Sequence, residues 1–134
     1  MNNRISFDEY FLNIAEMVSK RSTCLKRQYG AVIVNSANKI ISTGYNGSPS
    51  GEINCCERGT CPRLNKPHNS GDYSDCCAVH AEQNAMLFAD GSSMIGGTLY
   101  LVGMENGKRV EDVSPCPICA RMIKNANLKV ITKF

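Results

Sequence analysis

The sequence contains a histidine, a glutamate and two cysteines whose types and spacing suit a metal ion. Cys116 and Cys119 are three residues apart, so on a helix both thiolates share one face and can bind the same ion. His80 precedes a segment of good helix formers and is expected at the start of a helix. A helix N-terminus lowers the pKa of a thiol and disfavours imidazolium, which keeps all three side chains in the form that zinc requires.

Three protein ligands on zinc leave a fourth position for water, which is typical of catalytic sites, whereas structural sites use four protein ligands. Zinc brings the pKa of its water close to neutrality, so the predicted chemistry is hydrolysis. Glu82 is two residues beyond His80 and can reach that water without ligating the metal. We therefore predict a zinc hydrolase with ligands His80, Cys116 and Cys119 and with Glu82 as the general acid and base.

Composition limits the class of protein. The chain has 134 residues, eight cysteines and a formal net charge of +3. This length predicts a single domain over 1–134. With no apolar segment long enough for a membrane span and no secretory signal, we expect a cytoplasmic protein that does not bind membranes. In that reducing compartment, clustered cysteines favour metal ligation over disulfides. The scattered basic residues give no reason to expect nucleic-acid binding.

Hydrophobic periodicity predicts the elements that must position these residues. Ser6 and Glu9 fit a capping box at the start of a helix. The apolar stripe of that helix is expected in the core and consists of Phe7, Tyr10, Phe11, Ile14, Ala15 and Val18. Later segments predict strands over 30–35, 39–45, 98–102 and 129–132, and helices over 80–89 and 116–126.

The order of these elements is α-β-β-α-β-α-β. The first two strands form a hairpin, and the last two should be parallel, joined by a right-handed helical crossover. We therefore expect an α/β fold, a three-layer α/β/α sandwich with a mixed central sheet. Residues 46–79 are rich in Gly, Pro, Asn, Cys and charge, and are expected to form a long functional loop.

The motifs together resemble a known family. The H-x-E and P-C-x-x-C pair is a signature of zinc deaminases. The chain is similar to the zinc-dependent cytidine deaminase superfamily, and more closely to its deoxycytidylate deaminases, through 29–34 (YGAVIV), 44–49 (GYNGSP), 80–85 (HAEQNA) and 114–122 (SPCPICARM). This resemblance implies a cytidine deaminase-like fold. It also implies hydrolytic deamination of dCMP to dUMP and ammonia, supplying thymidylate synthesis, with attack of water at C4 and Glu82 as proton shuttle.

The resemblance also implies binding residues, metals and partners. Asn46 would hold the sugar or phosphate of the substrate, and the main chain of Ala81 would contact the pyrimidine ring. A second, structural zinc would use Cys24, Cys55, Cys61 and Cys76, with Cys56, Cys77 and His68 competing for these roles. Family members form hexamers, and many are activated by dCTP and inhibited by dTTP, with Mg²⁺ accompanying the nucleotide effector.

Two alternative functions stay open at this point, and one segment of the sequence departs from the pattern of the family. The same chemistry would serve a nucleoside, a free base, dCTP or adenosine in tRNA, although the 44–49 segment favours the small nucleotide. A noncatalytic zinc module is the other alternative, but it gives no role to Glu82 beside an open metal position. The departure is an insertion at 103–113, which is expected to reshape the rim of the pocket or an interface.

Overall fold

The structure is a computed structural model that describes residues 3–54, 59 and 78–133. In that part of the chain the helices are α1 (Phe7–Ser19), α2 (Ala81–Leu87), α3 (Gly91–Met94) and α4 (Pro117–Asn125). The strands are β1 (Gln28–Val34), β2 (Ile40–Tyr45), β3 (Thr98–Glu105), β4 (Lys108–Arg109) and β5 (Lys129–Ile131). Every element expected from the sequence is present, with bounds shifted by up to three residues.

The strands form one mixed sheet. β1 is central and pairs antiparallel with both β2 and β3. β3 in turn pairs antiparallel with β4 near one end and parallel with β5 near the other, where Thr98 lies opposite Lys129. The parallel pairing of β3 and β5 across α4 confirms the predicted strand-helix-strand unit.

Alternate side chains of the central strands enter two separate cores. Ala31 and Ile33 of β1 face a core that includes Ala85 of α2 and Ile123 of α4. Val32 and Val34 face the opposite core, which contains residues of α1 such as Phe11. This period-two alternation is what a sheet covered on both faces requires. The predicted three-layer α/β/α sandwich is confirmed.

Helix α1 begins where the sequence predicts, but its buried face is narrower than expected. The Ser6 hydroxyl accepts a hydrogen bond from the Glu9 amide at 3.1 Å and caps the helix. The prediction that Phe7 and Tyr10 lie in the core is wrong, since they are 57% and 45% exposed. The fully buried positions of α1 are Phe11, Leu12, Ala15 and Ser19.

Phe7 and Tyr10 instead pack around the ring of Phe11. The Phe7 ring stacks on that of Phe11 with centroids 5.8 Å apart, and Tyr10 contacts it at 4.9 Å. Both outer rings are therefore shielded on one side only.

With 13 residues, α1 is the longest described helix, and none of the helices in the described ranges has the length and apolar character needed to cross a bilayer.

Two short elements were not predicted from the sequence. α3 is a single turn capped by Asp90, whose carboxylate accepts a hydrogen bond from the Ser93 amide at 3.2 Å. β4 lies inside the 103–113 insertion and makes a hairpin with the end of β3. The turn residues Asn106 and Gly107 have φ of 54° and 77°, which is the left-handed conformation that an Asn-Gly hairpin turn adopts.

The predicted 46–79 loop is described at 46–54, 59 and 78–79. Gly47 and Val79 form an isolated antiparallel bridge, with N···O distances of 3.2 and 2.7 Å. The two ends of the loop are thus joined directly before His80. Most of the cysteines predicted for a second zinc, namely Cys55, Cys61 and Cys76, lie outside the described residues, as do the competing Cys56, Cys77 and His68.

Candidate active site

The fold brings together the three residues predicted to bind the metal ion. The Nδ1 atom of His80 lies 3.6 Å from Sγ of Cys116 and 3.3 Å from Sγ of Cys119. All three candidate ligand atoms lie within 4.8 Å of one another. A tetrahedral zinc ion with bonds of about 2.1 Å to nitrogen and about 2.3 Å to sulfur separates such atoms by about 3.5 Å. The donor set therefore fits zinc.

Two helix N-termini converge on this cluster. His80 is the N-cap residue of α2, and Cys116 is the N-cap residue of α4, where its Sγ accepts a hydrogen bond from the Cys119 amide at 3.4 Å. Pro117 occupies the first turn of α4, where its lack of an N–H costs nothing. The partial positive charge of each helix start favours thiolate sulfur at the cluster.

Gln83 fixes the backbone that carries the histidine. Its Oε1 atom accepts a hydrogen bond from the His80 amide at 3.0 Å, which is the reciprocal half of a capping box. The Nδ1 atom of the His80 ring is the atom that faces the two thiols. Gln83 was not predicted from the sequence as a functional residue, although a glutamine three residues after an N-cap position is the recognised signal for this interaction.

Glu82 lies in the first turn of α2 beside the cluster and is only 5% exposed. Burial raises the pKa of its carboxyl above the ordinary value. Smaller effects oppose this shift, including the charge of His80 and a hydrogen bond with the Cys119 thiol. A buried carboxyl at the edge of a metal site, with its pKa moved toward neutrality, is suited to exchanging protons with a reactant.

The Cys119 thiol is fully buried, and this burial is the main reason why its pKa is raised, contrary to the lowering expected from its place at a helix start. The negative charges of Glu82 and Cys116 raise that pKa further. A bound cation acts in the opposite direction, because it stabilises the thiolate directly. Without a metal ion the Cys119 thiol therefore keeps its proton, and a bound cation favours its loss.

Polar contacts hold α2 against the neighbouring strand. The Asn84 side chain donates a hydrogen bond to the Tyr45 carbonyl at 2.8 Å. The Ser42 hydroxyl donates to the Ala85 carbonyl at 2.6 Å. Ala81, the first residue of α2, is 1% exposed and belongs to the core beneath the metal cluster. Its predicted main-chain contact with a pyrimidine ring stays a prediction.

Asn46, predicted to contact the substrate, lies at the end of β2 and is 8% exposed. Its side chain forms hydrogen bonds with three neighbours in the segment before and at the start of β1. Gly47, the next residue, makes the bridge to Val79 beside His80. The substrate contact stays a prediction, while the structure gives Asn46 a clear role in holding this junction together.

Cys24, predicted as a ligand of a second zinc, is half-buried between α1 and β1. Its amide donates to the Ser22 hydroxyl at 3.2 Å, and its carbonyl accepts a hydrogen bond from Gln28 at 2.7 Å. Of the four cysteines predicted for that site, Cys24 alone is in the described part of the chain.

Comparison with known families agrees with this geometry. The family model for the cytidine and deoxycytidylate deaminase zinc-binding region matches residues 5–133. The chain belongs to this deaminase family. The match includes both the His80 segment and the pair Cys116 and Cys119, so the cluster described above lies in the zinc-binding region of the family.

Individual relatives of this deaminase family are similar over most of the chain. The deoxycytidylate deaminase of Schizosaccharomyces pombe is 40% identical over 129 residues, covering 96% of this chain and 37% of that protein. The deoxycytidylate deaminase of Mycobacterium phage D29 is 38% identical over 133 residues, covering 95% of this chain and 93% of that protein. The chain thus spans little more than a third of the yeast protein and nearly all of the phage protein.

A solved structure shares the fold. The crystal structure of dCMP deaminase from cyanophage S-TIM5 in complex with dCMP and dUMP has a TM-score of 0.67 and 28% identity, covering 96% of this chain and 82% of that chain. This likeness confirms the expected cytidine deaminase-like fold.

Proposed function

We propose that the protein is a hydrolase that deaminates dCMP to dUMP and ammonia. The observation that carries this proposal is the cluster of His80, Cys116 and Cys119, with the buried carboxyl of Glu82 at its edge. This set contains three ligands and one acid that is not needed as a ligand, which is the composition of a catalytic metal site. Supplying thymidylate synthesis is the metabolic role that the product dUMP suggests.

His80, Cys116 and Cys119 would hold zinc, which when bound makes water a nucleophile at neutral pH. Glu82 would take a proton from the water that attacks C4 of cytosine. It would then deliver a proton to the amine that leaves from the same carbon. Its burial supports both steps, because a carboxyl with a raised pKa is a better base when ionised and remains able to return the proton.

Relatives support dCMP over other substrates. The yeast and phage proteins are named deoxycytidylate deaminases, and the cyanophage enzyme is described with both dCMP and dUMP. The alternative is a different cytosine or adenine substrate, such as a nucleoside, a free base, dCTP or tRNA. The scattered basic residues give no continuous positive track for a tRNA backbone.

The remaining features of the proposal concern binding and assembly. Asn46 and the main chain of Ala81 would contact the sugar or phosphate and the pyrimidine. Cys24 would join Cys55, Cys61 and Cys76 at a second, structural zinc. We further propose a cytoplasmic single domain over 1–134 that forms homo-oligomers, with a hexamer favoured. dCTP and dTTP would be its effectors, with Mg²⁺ accompanying them.

The test is ammonia release from purified protein offered dCMP, dCTP, cytidine and cytosine, each with and without dCTP as activator. Turnover of dCMP alone is the expected result. Turnover of a different compound would support hydrolytic deamination but replace dCMP as the proposed substrate. No turnover of any of the four by zinc-loaded protein would overturn the proposal and favour tRNA or a noncatalytic zinc module.

Metal analysis of the same preparation tests the second zinc. Two zinc ions per chain are expected, falling to one in Cys24→Ser with the catalytic ion retained. A single zinc in the unaltered protein would contradict the structural site. The mass of the protein in solution, measured by light scattering with and without dCTP, tests the hexamer.

A further inference from the structure

The Asn46 carboxamide is held by main-chain groups on both sides. Its Oδ1 atom accepts a hydrogen bond from the Tyr29 amide at 2.8 Å, and its Nδ2 atom donates to the Arg27 carbonyl at 3.0 Å. The β1–β2 ladder ends at the pair Gly30 and Tyr45, one residue before this point. The side chain thus continues, in place of the backbone, the hydrogen bonding between the two strands.

These two partners fix which way the amide faces. An N–H group can only donate and a carbonyl oxygen can only accept, so Oδ1 must lie toward Tyr29 and Nδ2 toward Arg27. Oδ1 also receives the Ser22 hydroxyl at 2.6 Å, which uses its second lone pair. Among the described residues, Nδ2 donates one hydrogen bond only. What the side chain can still offer a ligand is therefore a donor hydrogen.

Asn46 is tied to the metal cluster from both neighbouring residues. On one side, the Tyr45 carbonyl accepts from Asn84, one turn into the helix that His80 begins. On the other side, Gly47 pairs with Val79, the residue that precedes His80. The segment that carries Asn46 is consequently fixed to the helix that His80 begins.

Ser22 completes this arrangement from outside the site. Its hydroxyl lies 2.6 Å from Oδ1 and 2.9 Å from the main-chain oxygen of Asn46, and it donates to this pair of oxygens. The same hydroxyl accepts a hydrogen bond from the Cys24 amide at 3.2 Å. Without Ser22, Oδ1 would lose one of its two donors, and the carboxamide would be held only by the Tyr29 amide and the Arg27 carbonyl.

We propose that Ser22 is a positioning residue that orients the Asn46 carboxamide, so that Nδ2 donates a hydrogen bond to an acceptor oxygen of the bound nucleotide. This inference rests on the proposed function. The acceptor is an oxygen of either the sugar hydroxyl or the phosphate, because both accept from an N–H donor. Ser22 itself does not contact the substrate.

The experiment compares Ser22→Ala, Ser22→Thr and the control Ser19→Ala with the unaltered protein. Ser19 is a buried serine whose hydroxyl donates to the Glu16 carbonyl of its own helix at 2.5 Å, away from Asn46. For each protein we would measure KM and kcat for dCMP, Kd for dUMP by calorimetry, melting temperature and zinc content. Ser22→Ala should raise KM and Kd about fivefold, with kcat within about twofold. Ser22→Thr keeps a hydroxyl and should therefore have the KM and Kd of the unaltered protein. Ser19→Ala should also leave KM and Kd unchanged.

Two substrate analogues identify the acceptor oxygen. If it belongs to the sugar hydroxyl, the penalty of Ser22→Ala disappears with 2′,3′-dideoxycytidine monophosphate. If it belongs to the phosphate, the penalty disappears with deoxycytidine. A penalty that persists equally with both analogues would overturn the proposed donor contact.

The remaining outcomes separate this inference from the proposed function. Unaltered protein that turns over dCMP, with a KM that Ser22→Ala does not change, would overturn the inference alone. The inference alone would also be overturned if Ser22→Ala lowered kcat and the melting temperature without changing KM or Kd. Such a result would show that Ser22 has a purely structural role. Absence of turnover of dCMP by the unaltered protein would overturn the proposed function and this inference with it.

Discussion

A Cβ atom placed on Gly44 would lie 2.4 Å from the carbonyl oxygen of Ala81. It would also lie 2.4 Å from the amide nitrogen of Ala85, one turn further along α2. β2 and α2 therefore pack backbone against backbone, with no side chain between them. This contact sets the distance of the helix from the sheet, and hence the position of His80 and Glu82.

Gly44→Ala is expected to displace the N-terminal turn of α2. Main-chain atoms at 2.4 Å cannot yield without movement of the whole helix, and a displacement of about 1 Å at a catalytic group can lower activity about 100-fold. The measurements are kcat/KM, melting temperature and zinc content. Gly91→Ala is the matched control, because a Cβ there meets nothing within 4 Å. Full activity of Gly44→Ala would contradict this account of how α2 is positioned.

Glu82→Gln should abolish turnover while leaving zinc bound. Glutamine keeps the size of the side chain but cannot carry a proton between water and the leaving amine, so kcat should fall by roughly 10² to 10⁴. Zinc content, measured by atomic absorption, should not change, since the three ligands remain. Glu111→Gln serves as the control, because Glu111 is exposed and lies two residues after β4. Loss of zinc in Glu82→Gln would instead make Glu82 a fourth ligand.

The metal ligands and the fold could be predicted because their signals are local or periodic. His80 and Cys116 lie at helix starts that the surrounding residues define. The three-residue spacing of Cys116 and Cys119 places both thiols on the same face of a helix. The sheet was predictable for a similar reason. The buried β1 strand is apolar on both faces, which indicates coverage by helices on each side.

The features that were missed depend on long-range packing. The 3.6-residue period includes Phe7 and Tyr10 as readily as Phe11, and only the position of the sheet decides which of them are covered. β4 is too short for a periodic signal, although its Asn-Gly turn at 106–107 was a usable indication. The bonds of Asn46 to residues 17 and 19 positions away could not be predicted from spacing at all.

Arg109→Ala should lower stability without a loss of activity. Arg109 lies in the 103–113 insertion and binds the Glu16 carboxylate and, at 2.8 Å, the Asn13 side chain. These contacts join the β3–β4 hairpin to α1, on the face of the sheet opposite to α2. Because both charged side chains are about one-third exposed, the expected loss is only about 1 kcal/mol in the free energy of unfolding.

Urea unfolding measures this loss, with Lys108→Ala on the same strand as the control. The kcat for dCMP should change by less than about twofold, since the contact lies on the side away from the metal cluster. A large fall in kcat with unchanged stability would show instead that the insertion shapes the substrate pocket.

Zinc affinity should rise with pH, and Cys119 should account for part of that slope. Burial raises the pKa of the Cys119 thiol, so in the metal-free protein this thiol is protonated at pH 7 and must lose its proton before zinc binds. Below that raised pKa, each pH unit should strengthen binding about tenfold for the one proton that Cys119 releases.

Removal of the metal with a chelator should abolish turnover, and zinc, but not magnesium, should restore it.

Competition with a zinc indicator between pH 6 and 8 measures the affinity. Cys119→Ala should bind zinc more weakly at every pH, and the slope of log Kd against pH should be shallower by about one than in the unaltered protein. Equal slopes would mean that Cys119 binds the metal without releasing a proton, or does not bind it. Turnover that persists after verified removal of all zinc would contradict the metal-dependent mechanism itself.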